Sequence, residues 1–227
     1  VGTVEYRSGP TMAAAERMRI TVTGSQTHGA VPWKGVDPIA ISSQIITALQ
    51  TIVAREVNIT QVPAVVTIGS IHGGVRNNII PEEVVMEGTI RTFNDEVRKD
   101  IHDSIRKKAE MIASASGATA KVEIFSDIAK VTFNEPSLTD KMVPSLERVY
   151  GKENVKITPF ITGAEDFPFF TDHAPGLYFF NGVAPDPSKA APNHSPYFFA
   201  DERNLKYGTK ALTQLAVDYL YLYKSVS

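Results

Sequence analysis

From residue 17 onward the apolar and polar positions keep a regular rhythm. In "RMRITVTG" (17–24) Met18, Ile20 and Val22 alternate with Arg19, Thr21 and Thr23, the period of a half-buried strand. In "VDPIAISSQIITALQTIVAREV" (36–57) the period changes to that of a helix. Asp37 is placed as cap, Pro38 at the first helical position, and Ile41, Ile45, Leu49, Ile52 and Val53 fall on one stripe. Two β-branched runs, "VPAVVTIGSI" (62–71) and "EVVMEGTIRTF" (83–93), flank the turn-rich "HGGVRNNIIPE". A second helix follows at 94–117, with Asn94 as cap, acidic residues in its first turn and Gly117 as its stop. "TAKVEIF" (119–125) closes the series as a strand. The order βαββαβ predicts a ferredoxin-like split-βαβ domain over 17–127.

The flanks read differently. Residues 1–16 hold one short strand candidate. Beyond 128 come a helix near 137–150, a strand near 155–160, the apolar "GLYFFNG" (176–182), a Pro-rich loop and a helix near 202–224 with an apolar face. A run such as "LYFF" suits the middle of a sheet covered on both faces, yet few neighbouring strands are visible to cover it. The expected organisation is α+β: a lid-like domain at 17–127 inserted into a larger α/β domain, to which 1–16 and 128–227 contribute.

Composition narrows the function class. With 227 residues, 43% apolar and 21% charged, the chain has a globular balance. Lys and Arg number 23 against 25 Asp and Glu, a net charge of −2, which leaves no footprint for nucleic acid or anionic membrane. No apolar run approaches the ~18 residues of a membrane span, and no signal-peptide pattern opens the chain. Cysteine is absent, which removes disulfides, thiolate nucleophiles and Cys-based zinc sites. These features predict a cytoplasmic enzyme or part of one, and the start at Val1 without Met points to a fragment.

The nucleophile-elbow and phosphate-loop motifs are missing. "SIRK" (104–107) lies on a charged helix, "PEE" (81–83) at a strand entrance, and "IHD" (101–103) mid-helix where His102 is expected to face water. His72 and His173 sit in turn-like contexts. Two other histidines stand in positioned loops: His28 in the Gly-flanked "TGSQTHGAVPW", and His194 between prolines in "APNHSPYFF". Asn78 and Arg91 offer donors for a carboxylate or an oxyanion. Their alternative readings, a turn Asn and a solvated strand Arg, remain open on the residues alone.

Taken together, "MRITVTGSQTHGAVPWKGVDPI", "GGVRNNIIPEEVVMEGTIRTF", "TGAEDFPFF" and "PNHSPYFFADE" resemble the co-catalytic metallopeptidase family of aminoacylase, hippurate hydrolase and the auxin-conjugate amidohydrolases. The resemblance implies a lid that is the dimerisation unit, and a catalytic domain with two divalent metals, zinc or manganese. It implies hydrolysis of N-acyl amino acids or small peptides, substrates with a free carboxylate. Carried over by motif, His28 is the lid histidine that polarises the scissile carbonyl, typically in the partner subunit's site. Asn78 orients the substrate carboxylate with help from Arg91, Glu165 lines the substrate site beside Asp166, and His194 is a metal ligand.

The family keeps its other ligands and its glutamate base in an N-terminal half, in H-x-D-like and Glu-Glu-like motifs. This chain has no H-x-D, and its Glu82-Glu83 belongs to the lid. The expectation is therefore either the C-terminal fragment of a longer amidohydrolase or a short product that has lost its metal centre, binding little metal by itself. Two rivals stay open: a metal-independent carboxylesterase using a Ser–His pair, and a non-catalytic dimerisation module.

Overall fold

The computed structural model describes residues 1–224. In chain order the elements are β1 (Val4–Tyr6), β2 (Gly9–Met12), β3 (Ala14–Thr23), β4 (Thr27–His28), α1 (Pro38–Arg55), β5 (Ala64–Gly73), β6 (Ile79–Ile80), β7 (Glu83–Thr92) and α2 (Asp95–Ala115). There follow β8 (Thr119–Ala129), β9 (Thr132–Asn134), α3 (Pro136–Tyr150), β10 (Val155–Ile157), α4 (Pro168–Thr171), β11 (Phe179–Asn181) and α5 (Arg203–Lys224). The chain divides into two compact units. One comprises Met12–Val131 and Thr162–Asp166, the other Val1–Thr11, Thr132–Ile161 and the chain from Phe167 onward.

The first unit is a four-stranded antiparallel sheet in the order β5-β7-β3-β8, with α1 and α2 on one face. That order, with two βαβ-type crossovers interleaved, is the ferredoxin-like topology expected from the periodicity. Met18, Ile20 and Val22 of β3 and Val84, Met86 and Ile90 of β7 meet Ile45, Leu49, Ile101 and Ile105 of the helices in a buried core. Truncating one of these isoleucines or leucines to Ala costs about 2–5 kcal/mol. The helix ends follow their caps. Asp37 Oδ1 accepts from Ile39 N (2.8 Å) and Ala40 N (3.3 Å), and Asn94 Oδ1 from Glu96 N (2.9 Å) and Val97 N (3.0 Å). Gly117, at φ 77°, ends α2 in the left-handed conformation that glycine adopts without penalty.

The opposite face of this sheet is polar. Arg19 pairs with Glu87 at 2.6 Å and Lys121 with Glu123 at 2.8 Å, while the Arg17 guanidinium stacks 4.5 Å from the Phe125 ring centroid. Two expectations about histidines need correction here. His72 lies inside β5 rather than in a turn. His102 does not face water: its side chain is 15% exposed, and Nε2 lies 2.6 Å from Oε2 of Glu16, a carboxylate 1% exposed on the core side of β3. The reason is pairing across the sheet–helix layer. Glu16 occupies an inward position of its strand, and a buried carboxylate there requires a partner from α2.

The second unit holds a three-stranded sheet, β10-β1-β11, in which β1 runs parallel to β10 and antiparallel to β11. Val4, Leu146, Tyr150 and Ala211 form its buried core. α5 is tied to α3 through Asp218, which accepts from Ser145 Oγ (2.6 Å) and Gln214 Nε2 (2.9 Å) and pairs with Arg148. The Ser145 and Gln214 hydrogen bonds, outweighing the small cost of burial, and the Arg148 pairing hold the Asp218 carboxyl at about 2. The "LYFF" run forms a shorter strand than the 176–182 expected: it is only Phe179–Asn181, half-buried, and it pairs with β1 alone among the described residues.

Candidate functional site

His28 is presented by a small two-stranded ribbon that turn chemistry alone did not reveal. β4 pairs with β6 in the register Thr27↔Ile80 and His28↔Ile79, and Gly29 N donates to Asn78 O at 2.8 Å. A Cβ on Gly29 would stand 3.3 Å from the Asn78 backbone, so the close approach of the two loops favours glycine there. His28 and Asn78 are thereby neighbours, and both are exposed. His28 Nδ1 accepts the Ala30 N–H at 3.0 Å. In a neutral imidazole that bond assigns the proton to Nε2, which is then an N–H donor on an exposed residue. Such a donor can bind a developing oxyanion.

Arg91 lies elsewhere on the same sheet. Thr23 pairs with Glu83 at the end of β3 from which the chain leads to His28, whereas Arg91 pairs with Ala15 near the other end. From Glu83 to Arg91, at about 3.4 Å per residue, is roughly 27 Å. The structure therefore groups Asn78 with His28 and separates both from Arg91. The segment carrying Glu165 joins the Arg91 end: Ala13 N donates to Gly163 O at 3.1 Å, and Ala13 immediately precedes β3. Glu165 itself is half-buried, whereas Asp166 is exposed.

The Arg91 side chain is half-buried and held in place. Its Nη1 donates to Thr89 Oγ1 at 2.6 Å and to the Ile90 carbonyl at 3.2 Å. The Thr89 hydroxyl in turn donates to the Glu16 carbonyl at 3.1 Å. Thr89 escaped the sequence reading. The available signal was its position two residues before Arg91, hence on the same strand face.

His194 belongs to the other unit. It is exposed, at the third position of a turn closed by Ser195 N to Pro192 O at 3.2 Å, and it is the one non-glycine described residue with positive φ, 67°. A held left-handed histidine marks a constrained loop. It stands without further ligands: among the described residues no group of three His, Cys, Asp or Glu side chains could hold a metal ion. The donor set of this chain does not fit a two-metal centre by itself. Among the described residues, too, no serine hydroxyl is hydrogen-bonded to a histidine, and no helix is long and apolar enough to cross a membrane.

The likeness to known proteins is specific. Residues 15–116 match the family model described as peptidase dimerisation domain. Thermostable carboxypeptidase 2 of Saccharolobus solfataricus is 38% identical over 219 residues, 96% of this chain and 55% of the relative. N-acetyl-L-cysteine deacetylase of Bacillus subtilis is 38% identical over 205 residues, 89% of this chain and 47% of the relative. The crystal structure of a Bacillus subtilis protein described as a dinuclear metal binding peptidase from the M20 family superposes with a TM-score of 0.74 at 28% identity. It is matched over 97% of this chain and 54% of its own. The chain spans about half the length of the curated relatives it matches. Residues 15–116 are thus a dimerisation domain of the M20 family, and the chain as a whole corresponds to the C-terminal half of these relatives.

Proposed function

We propose, from that correspondence, that this chain supplies the lid and the C-terminal catalytic segment of an M20 hydrolase that releases the acyl group of N-acyl amino acids, or the end residue of small peptides, from substrates with a free carboxylate. In this reading His28 donates its Nε2–H to the carbonyl oxygen under attack, and Arg91 anchors the carboxylate as a charge-assisted pair. Asn78 acts beside His28, Glu165 lines the Arg91 end, and His194 serves as one ligand of a metal centre. The remaining ligands of that centre are residues that this chain does not contain.

The observation that carries the reading is the separation of His28 from Arg91. An oxyanion donor and a carboxylate anchor for one small substrate cannot stand a sheet's length apart on one chain. They can meet when two copies pair, with His28 of one copy serving a substrate anchored by Arg91 of the other. A homodimer through the domain at 17–127 provides that arrangement, in keeping with a domain family described by its dimerisation.

The test is hydrolysis of N-acetyl amino acids against their carboxamides. The chain alone, and the chain combined with a polypeptide equivalent to the other half of the relatives, are assayed with and without a chelator. The expected result is chelator-sensitive turnover of the free acids by the combination, and none by the chain alone. Chelator-resistant hydrolysis by the chain alone, or equal rates on the carboxamides, would overturn the reading.

A further inference from the structure

Arginine recognises a carboxylate best along one edge of its planar guanidinium, where two parallel N–H groups meet two oxygens. Arg91 has two donor nitrogens besides Nη1. Its Nη1 is engaged by Thr89 Oγ1 at 2.6 Å and by the Ile90 carbonyl at 3.2 Å. Among the described residues, Nε and Nη2 have no protein partner, and no carboxylate lies within 4 Å of the side chain. The other cations on this face are differently placed: Arg19 and Lys121 are neutralised by Glu87 and Glu123, and Arg17 lies over the Phe125 ring.

The grip on Arg91 is directional because of the Thr89 proton. A hydroxyl has one hydrogen, and here it points to the Glu16 carbonyl at 3.1 Å. The lone pairs of Oγ1 are therefore turned toward Arg91. From this geometry we infer that Thr89 is a positioning residue: it holds Nη1 so that the Nε–Nη2 edge of Arg91 is the one presented to a carboxylate. The inference rests on the reading of Arg91 as the carboxylate anchor. It adds which edge does the binding and which residue sets it. A flexible arginine at this position would lose rotamer entropy on each binding event, whereas a clamped one has met much of that cost in folding.

The test uses the chain labelled with ¹⁵N, with the Arg91 Nε–Hε resonance identified by its loss in Arg91→Lys. N-acetyl-L-methionine and its carboxamide serve as probes. With the wild-type chain the resonance shifts and saturates with the acid and not with the amide. Thr89→Val, close in shape but without the hydroxyl, should weaken that binding by roughly 3- to 10-fold, the worth of about one hydrogen bond. Thr89→Ser, which keeps the hydroxyl, should restore it. A structural role alone would not produce that rescue, and unchanged backbone amide spectra distinguish misorientation from misfolding. Equal affinity in Thr89→Val, or failure of Thr89→Ser to rescue, overturns the role of Thr89 while leaving Arg91 as anchor. No acid-dependent shift in the wild-type chain overturns both.

Discussion

Glu16 and His102 form a buried pair across the layer between β3 and α2, with Oε2 and Nε2 2.6 Å apart and the carboxylate 1% exposed. Arg98, one helical turn earlier on α2, stands 3.8 Å from the other carboxylate oxygen and is itself held by Asp95 at 3.0 Å. The pair fastens α2 to the end of the sheet where Arg91 lies.

This pair predicts an acid-sensitive lid. Burial pushes the Glu16 pKa up, but the hydrogen bonds from His102 and Ser126 and the charges of His102 and Arg98 outweigh it, so the net direction is down from 4.5. A depressed folded-state pKa stabilises the fold above the unfolded value, and that stability is lost as pH falls through the folded value. Denaturant midpoints should therefore hold steady from neutrality to about pH 5 and drop below the usual carboxylate range. Glu16→Gln should remove much of that acid-limb slope and cost about 2–4 kcal/mol at pH 7. An acid limb identical to that of the wild type would refute the assignment.

Coupling between the two residues is a separate expectation. In a double-mutant cycle with Glu16→Leu and His102→Leu, each single change removes the other residue's partner at 2.6 Å and leaves a polar group in a largely buried site. The double change should recover part of the loss, with a coupling of about 1–3 kcal/mol. Additive losses would mean that the short contact contributes no specific stability.

Pairing of two copies is expected in solution. Light scattering at micromolar concentration should give close to twice the 24.8 kDa chain mass. β5 and β8 are the outer strands of the lid sheet, and among the described residues their outer edges are open to a second copy. A monomer throughout that range would remove the basis for His28 acting on a neighbour's substrate.

In the assembled hydrolase, His28→Ala should lower kcat by about 10²-fold or more with a smaller change in KM, as expected for loss of one oxyanion donor. Arg91→Lys should instead raise KM for free acids, because a point charge replaces a planar fork. Interchanged effects would exchange the two roles.

Metal retention gives a further check. Catalytic zinc sites use about three protein ligands, and this chain contributes His194 in an exposed turn without neighbouring ligands among the described residues. Elemental analysis of the isolated chain after gel filtration should show well under one zinc or manganese per chain. One or two retained equivalents would mean that His194 has partners this geometry does not bring together.

The alternation of Met18, Ile20 and Val22, the helical stripe from Ile41 to Ile52, the caps Asp37 and Asn94 and the stop at Gly117 determined the ferredoxin-like lid without any structure. Each is a local consequence of backbone period or hydrogen-bond valence, and these are properties of neighbours in sequence. Motif likeness also picked out His28, Asn78, Arg91, Glu165 and His194 as candidates. Only the tertiary structure decided how these residues are grouped. That His28 stands beside Asn78 depends on the β4–β6 pairing. That Arg91 lies at the far end depends on the direction of β7 against β3. The orientation of Arg91 by Thr89, and the pairing of Glu16 with His102 from 86 positions away, follow the same rule. Contacts between strands, or between a strand and a helix, are set by register and layer packing. A period along the chain shows which face a side chain takes, and folding alone selects the side chain it meets there.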